Sequence, residues 1–262
     1  MRRLSRVESA IRKNFIFYIF LRRLAPFICK FIDLEEGFSF SRKIRPVADR
    51  YCILDIGSND GTSINMFRRY FPSTKIIAVD PIQTPRFKLK NITLIKIALS
   101  DKVGSRSLVT PTVNGKQLTQ YSSFYKEKMI SQICADMNLD ESEVSTIVNE
   151  VNFNTVDNLG FAPFFIKIDV EGAELEVLRG ALTVIKSFNP VILVEIQNRG
   201  THLEVQKLLS NFGYINIDPD KTNLDPGAAT YSYKPFEFKV KTNNYVWINP
   251  NTSISWQLSK GS

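Results

Sequence analysis

Five short stretches constrain this chain most: YCILDI (51–56), KIIAVD (75–80), ITLIKIAL (92–99), FFIKID (164–169) and VILVEI (191–196). Each is a nearly continuous apolar run, the pattern of a strand buried on both faces. Helical periodicity fills the gaps between them. Ile64, Phe67 and Phe71 mark one face over about 61–70, and Pro72 stops it. Ala173, Val177, Leu178, Ala181, Leu182 and Ile185 draw a second face within VEGAELEVLRGALTVIKSF. Strands alternating with helices predict an α/β fold, a doubly wound parallel sheet with helices on both faces. GYINID (213–218) and NYVWIN (244–249) read as a closing strand pair.

Residues 111–150 interrupt this rhythm with a polar stretch and a predicted helix near 125–149. An insertion of this length serves as a lid, a substrate wall or a surface excursion. The chain therefore divides into an N-terminal segment (1–50), a main domain (51–250) carrying the insertion, and a C-terminal tail (251–262).

A net charge of +8 would invite a nucleic-acid reading if it lay on the main domain. Eight Lys/Arg against Glu8 put +7 of it in residues 1–30, leaving +1 for the rest, so nucleic acid is not expected as a partner. The same N-terminus is apolar, in NFIFYIFLRRLAPFICKFI. Its unbroken run from Phe15 to Leu21 falls well short of the roughly 20 residues a spanning helix needs. Arg22 and Arg23 follow at once with no small-residue cleavage site, which argues against a signal peptide. Two readings stay open: a cap packed on the domain, and an amphipathic helix on an anionic membrane surface. Cys29, Cys52 and Cys134 form no CxxC pair and no even framework, which suits free thiols in a reducing compartment. The expected localisation is cytoplasmic, peripheral at the inner face of a membrane under the second reading.

The glycine turn DIGSNDG ends the first strand and opens a helix, where doubly wound folds bind ligands. A P-loop needs a Lys-Ser/Thr pair after its last glycine, and Gly61 is followed by Thr62 and Ser63. A dinucleotide fingerprint needs G-x-G-x-x-G, and the glycines stand at 57 and 61 around Asn59. A pyrophosphate is poorly served. A nucleoside with an amino-acid tail fits better, its carboxylate at the helix start and its ribose hydroxyls on Asp80, which ends the second strand. That describes S-adenosylmethionine, although an acid at this place also marks NAD enzymes. A second cluster, IKIDVEGAELEVLRG, puts Lys167, Asp169, Glu171 and Glu174 at the end of the fourth strand. The helix dipole accounts for Glu174 but not for Asp169 or Lys167. Three acids so close would also suit Mg²⁺, but no other oxygen-rich cluster is visible and no metal is assigned.

At this point the chain resembles the FkbM-family methyltransferases over about residues 50–218. The blocks are LDIGSNDG, VDP, ALSDKVG, YSSF, VNFNTVDNL, FFIKIDVEGAELEVLRGA and NPVILVEI, in that order. The family usually carries Glu-Pro at Asp80-Pro81 and alanine at Ser58, both mild departures. The resemblance implies a class I Rossmann-like sheet of seven strands, the last one antiparallel, and S-adenosylmethionine-dependent O-methylation. By position it implies that Asp55, Gly57, Ser58, Asn59 and Gly61 hold the methionine portion of the cofactor. Asp80 would hold the ribose, and Leu99, Ser100 and Asp101 would flank adenine. Asp169 and Glu171 would face the sulfonium and the acceptor hydroxyl, with Lys167 beside them. The implied acceptors are hydroxyls of small molecules or glycans: sugars, glycolipids and polyketide-like compounds.

A hydroxyl acceptor benefits from a base. His202 is the only histidine, and Thr201 with Glu204 forms an S/T-x-x-E capping box that would put it in a first helical turn at the ligand edge. Asp169, Glu171 and Glu195 are the competing bases. Two other classes remain in view: a nicotinamide-dependent oxidoreductase on a similar fold, and a non-catalytic methyltransferase-like binding module.

Overall fold

The computed structural model describes residues 37–82, 90–218, 244–250 and 255–258, together with residue 28. The two readings of residues 1–30 lie outside these. Short apolar runs become strands as the patterning predicts: β2 (Cys52–Ile56), β3 (Ile76–Val79), β4 (Ile92–Ile95), β9 (Pro163–Ile168) and β10 (Val191–Glu195). With β11 (Ile215–Ile217) and β12 (Asn244–Ile248) they form one seven-stranded mixed sheet, in the order β11-β12-β10-β9-β2-β3-β4. β2, β3, β4, β9 and β10 are parallel, and β12 runs antiparallel to both β10 and β11.

Alternate residues of each strand feed two cores. On one face α1 (Thr62–Tyr70) and a 3-10 turn at Phe38–Lys43 bury Phe38, Phe40, Ile64 and Phe67 against Ile53, Phe165 and Leu193. Phe67 meets Phe165 edge to face at 5.2 Å between centroids, an arrangement that adds about 1 kcal/mol beyond area burial. On the other face lie α3 (Glu174–Arg179), α4 (Leu182–Phe188) and α5 (Arg199–Ser210), packing Val177, Leu178, Ile185 and Val205 on Leu54, Ile166 and Val194. The periodicity across 173–185 reads as one helix, but the structure breaks it at Gly180. Gly180 lies so close to the Ser100 backbone that a methyl group there would be driven into the Ser100 carbonyl, which confines the position to glycine. The Gly180 carbonyl instead accepts from Asp157 N at 2.9 Å.

The ends contribute more than the sequence suggests. β1 (Ile44–Pro46) pairs antiparallel with β13 (Trp256–Leu258), so the 251–262 stretch supplies a strand. Trp256 is buried and donates its indole N–H to Asn189 O at 2.9 Å.

ITLIKIAL is split. β4 stays in the main sheet, while β5 (Ala98–Leu99) joins a second sheet with β6 (Gly104–Val113), β7 (Lys116–Gln117) and β8 (Val144–Asn154), ordered β5-β8-β6-β7. The helix expected at 125–149 is α2 (Lys126–Met137), half as long. Asn138 takes a left-handed conformation (φ 55°) that ends it, and β8, which begins with the largely β-branched VSTIV, pairs with β6 over ten residues. α2 then covers this sheet through Met129, Ile133 and Met137. Among the described residues no helix is long and apolar enough to cross a membrane.

Candidate functional site

The site lies along the carboxyl ends of four neighbouring strands. Ile56 pairs with both Val79 and Ile168, so Gly57 stands between Asp80 and Asp169. Val194 pairs with Ile168, which sets Glu195 level with Asp169. Gly57 (φ 79°) is required twice over: its conformation is left-handed, and a side chain would strike the Asp169 carbonyl. The turn is held from the neighbouring strand. Asp80 Oδ2 accepts from Asn59 N at 3.0 Å and its Oδ1 from Ile82 N at 2.9 Å. Gly61, also left-handed, precedes α1 without capping it, and Asp60 takes the first amide instead, its Oδ1 accepting from Thr62 N at 3.1 Å.

Beneath this edge sits a buried charge cluster. Asp55 on β2 pairs in register with Lys167 on β9, and both face the α1 side of the sheet. Ser63 Oγ of α1 donates to Asp55 Oδ2 at 2.6 Å. Burial pushes the Asp55 carboxyl up to about 6, against the opposing pull of the Lys167 ammonium and the Ser63 bond. Lys167, only 2% exposed, donates to Asp169 Oδ2 at 2.9 Å, so one buried cation serves two acids. Asp55 Oδ1 and Ser58 Oγ are buried and have no hydrogen-bond partner among the described residues.

The acidic loop after β9 is strained and braced. Glu171 adopts φ 54°, a left-handed conformation unusual for a long side chain. Ser123 Oγ donates to its carbonyl at 2.9 Å, and Gln197 Nε2 donates to its Oε2 at 2.8 Å. Glu174 Oε1 accepts from Gly172 N at 2.7 Å, and burial raises the Glu174 carboxyl. The insertion therefore roofs the site. Thr119 Oγ1 donates to Asn59 Oδ1 at 3.1 Å on one side, and Tyr125 OH donates to Glu176 Oε1 at 2.8 Å on the other. Thr119, Tyr125 and Gln197 went unnoticed in the sequence. For Gln197 a signal existed, since it stands two residues past Glu195 at a strand edge.

Three further predicted site residues are largely buried. The cap of α5 is Asn198, whose side chain accepts from Thr201 N at 2.8 Å, rather than Thr201. His202 consequently turns inward, buried with its ring 4.6 Å from that of Tyr245 and in hydrogen-bond contact with Asn216 at 3.1 Å. Burial lowers its pKa, so the ring is a neutral core group between helix and sheet. Leu99 packs into the core beside Val156 and Val177. Ser100 donates to Glu176 Oε2 at 2.9 Å and, more weakly, to Asp101 Oδ1 at 3.3 Å, which commits it to holding α3. Among the described residues no group of three His, Cys, Asp or Glu side chains is arranged to hold a metal ion.

One edge of the mixed α/β sheet thus gathers a glycine turn, an acid on the next strand and a roofed acidic loop. The particular family follows from the sequence itself. The Methyltransferase FkbM domain matches residues 55–215, and the chain belongs to that family of methyltransferases. Among solved structures it is similar to methyltransferase FkbM from Methylobacillus flagellatus KT, at 16% identity and a TM-score of 0.43, over 76% of this chain and 44% of that one. It is also similar to precorrin-6y C5,15-methyltransferase from Geobacter metallireducens GS-15, at 13% identity and a TM-score of 0.37, over 80% and 82% of the two chains. The chain thus spans less than half the length of the M. flagellatus protein. A search of curated proteins finds no match.

Proposed function

We propose that this methyltransferase moves a methyl group from S-adenosylmethionine to a hydroxyl of a small molecule or glycan. The observation that carries the reading is the pair of partnerless buried atoms, Asp55 Oδ1 and Ser58 Oγ, at the glycine turn. A buried carboxylate oxygen without a donor is costly unless a ligand supplies one. An amino-acid ammonium is such a donor, and the positive end of the α1 dipole suits the accompanying carboxylate. The residues present therefore fit the amino-acid end of the cofactor, and Asp80, whose carboxylate accepts from Asn59 N at the turn, is the group assigned to the ribose. The strand order, with β12 antiparallel between β10 and β11, supports the class I Rossmann-like reading.

S-adenosylmethionine, when bound, supplies an electrophilic methyl group; the protein's part is alignment, dehydration and removal of the acceptor proton. Lys167 holds Asp169 in place, and Gln197 with Ser123 holds Glu171. Asp169, Glu171 and Glu195 are the carboxylates at the acceptor edge that can take the proton, and His202, enclosed by Tyr245 and Asn216, is not among them. The test is a pair of substitutions. Asp80→Ala should weaken S-adenosylmethionine binding at least tenfold by calorimetry, whereas Asp169→Asn should keep that binding and lower turnover. Normal binding by Asp80→Ala would refute the ribose assignment.

A further inference from the structure

β6, β8, α3 and the 100–102 turn enclose a cleft of about 350 Å³; Ser100 and the exposed acid Asp101, expected beside adenine, line one side of it, while its basic and aromatic side chains have no role assigned so far. Its charge is uneven in a particular way. Glu176 is the acid at its back, but both its oxygens are already occupied, by Tyr125 OH at 2.8 Å and Ser100 Oγ at 2.9 Å. Arg106 approaches Glu176 no closer than 3.9 Å. Its guanidinium lies instead over two rings, 4.9 Å from the centroid of Phe124 and 5.1 Å from that of Tyr125. Contact with the two rings, together with a hydrogen bond to the Tyr125 hydroxyl, braces the group at the cleft wall. Lys102 and Arg179, both exposed, add two cations at the mouth, and Phe153 supplies an apolar wall.

A pre-oriented guanidinium with two flanking cations is suited to bidentate capture of a phosphate or carboxylate, and the phenyl faces suit the body of a ring. The volume matches a small ligand. The cleft is also joined to the acidic loop. Tyr125, which bonds Glu176, packs its ring against Gly172, the neighbour of Glu171.

Resting on the methyltransferase reading above, we propose that this cleft holds an anionic group of the methyl acceptor, so that the enzyme selects acidic sugars, phosphorylated or uronic, over neutral ones. The recognition is by Arg106, with Lys102 and Arg179 assisting. The source of the anion is decided by the probe that binds: glucose 1-phosphate for a phosphate, glucuronate for a carboxylate.

The experiment is calorimetry on the full chain with glucose 1-phosphate, glucuronate and uncharged glucose, in parallel with S-adenosylmethionine. One of the two anions should bind and glucose should not. Arg106→Gln should weaken that anion about tenfold, as expected for one charge-assisted hydrogen-bond pair. The double substitution of the exposed Lys102→Gln and Arg179→Gln, which does not touch a packed side chain, should weaken it about threefold. S-adenosylmethionine affinity should stay unchanged in all three proteins. Absence of anion binding, equal binding by wild type and variants, or a parallel loss of S-adenosylmethionine in Arg106→Gln would each overturn the proposal. Anion binding without any S-adenosylmethionine binding would instead refute the methyltransferase reading and leave the anion site standing.

Discussion

Three glycines separate the two physical reasons a residue can be confined to glycine, and substituting each by alanine measures them. Gly115, in the turn between β6 and β7, has φ 71° and no atom within 4 Å of the place a methyl group would take, so Gly115→Ala carries backbone strain alone. The left-handed conformation costs a non-glycine residue about 1–2 kcal/mol, partly offset by a less disordered unfolded chain, so a net loss of about 1 kcal/mol is expected. Gly180 has φ −78°, which any residue accepts, but a methyl group there meets Ser100 O. Gly180→Ala therefore carries overpacking alone, about 1–3 kcal/mol. Gly57 combines both, with φ 79° and the Asp169 carbonyl in the way, and Gly57→Ala should lose about 2–5 kcal/mol. Guanidinium unfolding at constant slope gives the three differences. Gly57→Ala should also weaken S-adenosylmethionine binding, because relief of the clash moves β9 away from the glycine turn, while Gly180→Ala, at the far end of α3, should not. Equal midpoints for Gly57→Ala and Gly115→Ala would show that the two strand ends do not approach as described.

The buried charges make further predictions. Asp55 is raised from 3.8 to about 6 by burial, so the folded chain binds this proton more tightly than the unfolded one. That stabilisation is fully present below about pH 4 and is lost as the pH rises through about 6, a change of about 3 kcal/mol. Asp55→Asn should thus be more stable than wild type at pH 7.5, with the gap closing toward pH 4 in a series of urea titrations. Lys167→Met removes the cation shared by Asp55 and Asp169 and should cost about 3 kcal/mol, less at pH 5 than at pH 8. Burial lowers His202, so its contribution is present above pH 6.5 and lost as the pH falls through the lowered value. His202→Gln should remove that acid limb and leave S-adenosylmethionine affinity within about twofold, since the ring is enclosed in the core by Tyr245 and Asn216. Liposome flotation tests the membrane reading of residues 1–30: the full chain should float with anionic vesicles more than a chain lacking them, and equal behaviour ends that reading.

Much of the molecule was legible because the signals were local. Apolar runs of five or six residues placed β2, β3, β9 and β10, and the glycines around Asn59 marked the turn. Errors arose where local pattern met a distant neighbour. The 173–185 periodicity is continuous, yet the Gly180 carbonyl turns to Asp157 N, far off in sequence, and the helix divides there. Thr201 and Glu204 form a convincing cap by spacing, but the helix starts earlier, capped by Asn198 through Thr201 N, and His202 lies in the core.

The strands, the glycine turn and the acids that end each strand are already specified by the order of amino acids, because burial on two faces and left-handed backbone leave their marks within a few residues. Which of those acids share a cation, and what braces Glu171, is not written there. Asp55 meets Lys167 across 112 positions of chain, and Glu171 is held by Ser123 and Gln197 from either side in sequence. Those contacts depend on strand order and on how the insertion folds back over the edge. Such partners come within hydrogen-bond range once the sheet is assembled and roofed, and there the low dielectric makes each pairing decisive.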